Sequence, residues 1–192
     1  MSRPTVVFLL FTIFLGGPQL ARAEWYAGAE ATNLELRMSF EYGREYYDLS
    51  PARLNLGYLW DGVGVEFQAY SDANETINVQ GLNLYIANEE TVGAHLVWFA
   101  DEINTKITAG AIRTKITNTL VDFDVTDEDV VVLIGLSASF VYNFTENFGL
   151  SAGYNYYEGK TDLPNTTVSG PGLSSRISTV LSGFSAGLQY RF

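Results

Sequence analysis

Ile177-Ser-Thr-Val-Leu-Ser-Gly-Phe184-Ser-Ala-Gly-Leu188-Gln-Tyr190-Arg-Phe192 is the stretch from which the rest of the chain can be read. From Phe184 onward, Phe184, Ala186, Leu188, Tyr190 and Phe192 alternate with Ser185, Gly187, Gln189 and Arg191. This is period two, a strand with one apolar and one polar face. A half-buried strand of a soluble sheet reads the same way, but chain ends are normally polar and frayed, and this sequence closes on an aromatic ring. An apolar end suits a strand lying in a bilayer, with Tyr190 and Phe192 at the interface where aromatic rings collect.

At the other end, Met1 to Ala23 carries Arg3, an apolar run from Val6 to Leu15, Gly16-Gly17-Pro18, and the small-residue stretch Ala21-Arg22-Ala23. That is the build of a secretory signal peptide, with 1–23 removed and 24–192 left as one domain. The apolar run is about half of the ~20 residues that a spanning helix needs. No Cys follows the cleavage site, so no lipid anchor is expected. The complete absence of Cys also removes disulfides, thiol nucleophiles and thiolate metal sites. Net charge is −11, and losing Arg3 and Arg22 with the signal makes it −13, which argues against a nucleic-acid partner. Nothing beyond the signal approaches a membrane helix. A chain of this kind that spans a membrane must therefore close into a barrel, because lipid offers no partner for open strand edges.

Alternating segments of about ten residues fill the remainder. Trp25, Ala27, Ala29 and Ala31 face one way, and Tyr26, Gly28, Glu30 and Thr32 the other. Leu34, Leu36 and Met38 then carry the apolar phase on even positions. Because a one-residue slip exchanges the faces, this predicts a bulge near Thr32 to Leu34. After a loop over Gly43 to Pro51, Leu54, Leu56, Tyr58 and Trp60 point outward and Arg53, Asn55 and Gly57 inward. The Asp61-Gly62 turn leads to Val63, Val65, Phe67 and Ala69 outward, against Gly64, Glu66, Gln68 and Tyr70 inward.

Leu82, Leu84 and Ile86 share the even phase of Val92, Ala94, Leu96 and Trp98, which favours one long strand; a hairpin at Asn88-Glu89-Glu90 would raise the count from eight strands to ten. Beyond a turn over Asp101 to Asn104, Ile107, Ala109 and Ala111 face out and Lys106, Thr108 and Gly110 face in. Thr117 to Asp129 is expected to be an acidic loop; it has oxygen ligands but lacks the Gly of an EF-hand loop, so no metal is assigned to it. Two further strands flank Thr145-Glu146. A Gly-, Ser- and Thr-rich loop over Glu158 to Arg176 precedes the closing strand.

The turns thus alternate short and long, the pattern of an antiparallel up-and-down transmembrane β-barrel, all-β, of eight strands. Three tryptophans test this arrangement. Trp25, Trp60 and Trp98 all fall outward at the short-turn end with Tyr190 and Phe192, forming a periplasmic aromatic girdle.

Two motifs carry a family resemblance. Leu188, Tyr190 and Phe192 resemble the closing strand, and Trp25-Tyr-Ala-Gly-Ala29 the first strand, of small bacterial outer-membrane β-barrels of the OmpA/OmpX type. The resemblance implies residence in the bacterial outer membrane, contact with the barrel assembly machinery through the C-terminal strand, and lumenal ion pairs, Glu30 being the position that matches.

One architecture hosts unrelated activities. An eight-strand barrel is just wide enough to be filled by side chains, and the inward list supplies a lumenal charge network of Glu30, Arg53, Glu66, Lys106 and Arg191. Buried charges must pair or be hydrated. The expected function is therefore structural or surface-interacting, with a polar, largely plugged lumen; a narrow porin-like channel is the alternative. A lipid-modifying enzyme would need His95, the single imidazole, as its base. Its phase places it in the lumen away from lipid, so no catalytic residue or cofactor is assigned. Arg113 and Lys115 continue the outward phase of Ala111 to the outer rim, where they are expected to contact lipopolysaccharide and outer-membrane lipid.

Overall fold

A computed structural model describes residues 23–40, 43–79, 82–162 and 176–192. The expected signal peptide (bar Ala23) and most of the loop expected before the last strand lie outside these residues. The strands are β1 (Ala23–Phe40), β2 (Gly43–Leu49), β3 (Ala52–Trp60), β4 (Val63–Tyr70), β5 (Ala73–Val79), β6 (Leu82–Ala100), β7 (Thr105–Leu120), β8 (Val125–Asn143), β9 (Phe148–Asp162) and β10 (Arg176–Arg191). All pairings are antiparallel. β10 returns to β1, so β1, β3, β4 and β6 to β10 close a ring.

β2 and β5 are continuations of ring strands and add none to the ring. The first half of β1 pairs with β3 and its second half with β2, so β2 and β3 form one strand line broken at Ser50-Pro51. Pro51 has no N–H to give to a ladder. β4 and β5 make a second line broken at Ser71-Asp72, paired along β6. Eight strand lines result, and the hairpin considered at Asn88 to Glu90 does not form, because β6 runs straight through it. The expected loop over Gly43 to Pro51 is mostly β2. That over Thr117 to Asp129 is mostly the ends of β7 and β8, joined by a single 3-10 turn at Val121–Phe123 with Asp124 at φ +51°. Asp61 and Gly62, at φ +51° and +80°, close β3 to β4 with the handedness that a twisted hairpin needs.

The outer surface is an apolar belt. Leu54, Phe67, Leu96, Ile134, Leu136, Phe184 and Leu188 are all exposed on it, an inversion of soluble packing that a bilayer explains. Its upper border is drawn by outward Glu35 and Arg37 of β1, Arg113 of β7 and Glu158 of β9. Aromatic rings line the lower border. Trp25 lies 4.8 Å from Tyr58, Tyr58 lies 4.4 Å from Trp60, and Tyr190 touches Phe148 and Phe192 at 4.7 and 4.9 Å. Trp98 stands opposite Val63 in the next strand pair and is exposed.

The interior has three levels. Tyr26, Leu59, Val97, Phe99 and Val141 pack at the lower mouth, a polar layer follows, and above it Leu34, Leu36, Met38, Leu49, Ile86, Ile112, Ile116, Val131, Leu133 and Leu181 form an apolar core. This upper core corrects two readings of the sequence. β1 has no bulge near Thr32 to Leu34, since its ladder runs unbroken from Tyr26↔Arg191 to Ser39↔Ser178 and Leu34, Leu36 and Met38 stay inside with Glu30. The bulge lies instead in β6 between Glu89 and Val92, with Glu90 at φ +49°. Ile86 and Asn88 below it in sequence and Thr91 and His95 beyond it all face inward, so Ile86 and Val92 lie on opposite faces despite their shared even phase.

Candidate functional site in the barrel lumen

The polar layer is assembled across strands. Glu30 of β1 stands directly opposite Arg53 of β3, and Glu66 of β4 opposite His95 of β6. The Glu30 carboxylate accepts from the Arg53 guanidinium and also from Ser151 Oγ at 3.2 Å and Asn55 Nδ2 at 3.3 Å. Arg53 further donates to Asn155 Oδ1 at 2.7 Å, Ser185 Oγ at 3.2 Å and Tyr70 OH at 3.3 Å. Tyr70 donates to Gln68 Oε1 at 2.9 Å, and Gln68 Nε2 donates to Glu66 Oε1 at 2.7 Å. Glu66 Oε2 then takes Lys106 Nζ at 3.0 Å and the Tyr26 hydroxyl at 2.7 Å.

Two carboxylates and two cations, all 1–2% exposed, thus belong to one hydrogen-bonded chain with no net charge. Such pairs stand in low dielectric only when their remaining donors and acceptors are satisfied. Glu66, with three donors around it, meets that condition. His95 joins the edge of the network through Tyr157, its Nε2 lying 3.1 Å from the hydroxyl that also reaches Gln68. The imidazole is buried inside the wall, and the hydroxyl it meets belongs to a tyrosine.

Of the expected charge network, the structure brings together Glu30, Arg53, Glu66 and Lys106. It does not include Arg191. That side chain sits at the lower mouth, over the Phe99 ring at 4.2 Å and 3.4 Å from Asp101 Oδ1. The mouth is a cleft of about 1180 Å³ lined by Asp61, Asp101, Glu102, Glu146 and Arg191 and floored by Leu59 and Phe99. Among the uncharged links of the network, Gln68 was on the inward list read from the sequence, whereas Tyr26, Tyr70, Asn155 and Tyr157 were not singled out, although each carries the inward phase. Trp25, Trp60, Trp98, Tyr190 and Phe192 occupy the lower rim described above. Lys115, on the outer face of β7, reaches Glu128 at 3.0 Å and Glu89 at 3.6 Å, while Arg113 is exposed on that face.

The wall above the belt contains a seam. Among the described residues no ladder joins β2 to β5, so both strands present an edge there. The backbone N–H of Asp48 donates across it to Glu75 Oε2 at 2.6 Å. Beside it, burial and the Glu45 carboxylate hold the Tyr47 phenol well above its ordinary pKa.

The fold is that of the small eight-stranded outer-membrane β-barrels. Among solved structures that share it are Neisserial surface protein A (TM-score 0.55, 17% identity, covering 88% of this chain and 97% of that one) and OprG from Pseudomonas aeruginosa (TM-score 0.58, 12% identity, 90% and 97% covered). A third is Ail, the attachment invasion locus protein of Yersinia pestis, in complex with the heparin analogue sucrose octasulfate (TM-score 0.52, 16% identity, 88% and 99% covered). At these identities the likeness is one of fold. No family model matches the sequence, and no curated protein does.

Proposed function

We propose that this chain resides in the bacterial outer membrane with its short turns toward the periplasm, that its lumen does not conduct, and that it acts structurally or through its outer surface. The observation that carries the reading is the neutral, continuous network of Glu30, Arg53, Glu66 and Lys106, capped by a packed apolar core. An ion entering this lumen would have to displace paired charges and then cross an apolar layer. Purified barrel in planar bilayers should therefore leave conductance at baseline; large, stable channels would overturn the reading. A lipid-modifying activity is disfavoured by the position of His95, which faces the lumen and not the bilayer.

The unpaired seam between β2 and β5 favours a second reading, passage of a small apolar molecule between the upper core and the outside of the wall above the belt. The chain has no Cys, so a short bis-maleimide joining Asp48→Cys to Glu75→Cys would span the seam without competing thiols. Uptake of a fluorescent fatty-acid probe that is unaffected by this closure would dismiss that reading.

A further inference from the structure

The outer wall is not uniformly filled. In the cross-strand row Phe67, Ala94, Ala111, Ile134, large side chains on β4 and β8 flank small ones on β6 and β7, and in the row above it Val92 and Arg113 stand over the two alanines. Ala94 and Ala111 carry only a methyl group on this outer face. The result is a trough of about 470 Å³ with an almost wholly apolar lining, walled by Phe67 and Val132 and ending at Arg113. Adjacent strands lie roughly 4.8 Å apart, so the two narrow columns between the walls give room for an acyl chain. The trough lies within the apolar belt, and Arg113 stands at the belt's upper border.

The charge at that border is specific. Lys115, one step higher on the same face, is held by Glu128 and Glu89, whereas Arg113 is exposed and has no ion pair or hydrogen bond among the described residues. An unpaired guanidinium is therefore displayed at headgroup level, directly above an apolar slot, on a chain of net charge −11. Guanidinium groups engage phosphate oxygens with two parallel hydrogen bonds.

We propose that this trough binds one molecule of the phosphorylated glycolipid of the outer leaflet, with an acyl chain between Phe67 and Val132 over Ala94 and Ala111 and a phosphate on Arg113. The site rests on the orientation given above, since it places Arg113 in the outer leaflet. Lys115 adds a weaker, shared charge, and the phosphate, more than the sugar, provides recognition.

The test uses the full barrel in nanodiscs with purified lipid A as probe, read by native mass spectrometry of the lipid retained after transfer to detergent. Wild type should retain one lipid A. Arg113→Gln should lower retention roughly tenfold, about what one charge-assisted hydrogen bond supplies. Ala111→Leu, which fills the slot and leaves the charge, should lower it to a similar degree, and both variants should keep the folded mobility of wild type on unheated gels. Phosphatase-treated lipid A should bind wild type no better than Arg113→Gln binds the intact lipid. Equal retention by wild type and both variants, or undiminished binding of the dephosphorylated lipid, would overturn the site. Because the measurement depends on neither conductance nor orientation in cells, its failure is separable from failure of the functional reading.

Discussion

Arg53 and Glu30 face each other across a strand pair with 1% and 2% of their side chains exposed, and their energetic meaning lies in what happens when one is removed. Arg53→Met leaves the Glu30 carboxylate buried with only neutral donors, and Glu30→Gln leaves the converse. Each should cost about 3–5 kcal/mol of unfolding free energy. The double variant should lose clearly less than the sum, because each single change strands a charge that the double change removes. Urea unfolding of the barrel in detergent reads all three. Arg191→Gln, at the open mouth beside an exposed Asp101, should cost about 1 kcal/mol or less. The charged members of the lumenal layer were legible in the sequence because period two puts Glu30, Arg53, Glu66 and Lys106 on one phase. Arg191 shares that phase, and periodicity carries no information about depth. Depth decides between the network and the mouth.

At the scale of the strand, the bulge expected in β1 and the one missed in β6 have one cause. Alternation reveals that two faces differ, and it does not say which is inside. Along β1 the inner face changes from polar Glu30 and Thr32 to apolar Leu34 and Leu36, just where the outer face changes from Ala29 and Ala31 to Glu35 and Arg37. Both faces switch character as the strand leaves the apolar belt, which imitates a slip of one residue. In β6 a real slip at Glu89 to Val92 cancels the same switch, and the even positions look continuous. The eight strand lines, the Asp61-Gly62 turn and the aromatic rim were legible because each depends on local pattern alone. Glu90, held at φ +49° by the bulge, gives a test. Left-handed backbone costs a non-glycine residue roughly 1 kcal/mol, so Glu90→Gly should hold or raise stability by about that amount, while Glu90→Val should lower it by more. If both substitutions behave alike in urea unfolding, the bulge is misplaced.

For the whole molecule, the asymmetry of the two ends is what supports the proposed orientation in a membrane. The end with the Asp61-Gly62, Asp101–Asn104 and Phe144–Asn147 turns carries the tryptophans and the closing aromatic residues. The other end carries strands that rise above the belt, with their own apolar core. A barrel inserted from the periplasm must push its translocated end through lipid, and an end of tight turns is the one expected to stay behind. The native chain contains no Cys, so single reporters can be placed without background. Asp124→Cys, at the exposed turn between β7 and β8, should react with a membrane-impermeant maleimide on intact cells, and Asp61→Cys should react only after the envelope is opened. Both positions already have positive φ, a conformation Cys adopts less readily than Asp, so each variant is first checked for folded mobility on unheated gels. Labelling of Asp61→Cys on intact cells with protection of Asp124→Cys would turn the barrel over. It would put Arg113 in the inner leaflet and take the proposed glycolipid away from the trough in cells, even where lipid A binds it in nanodiscs.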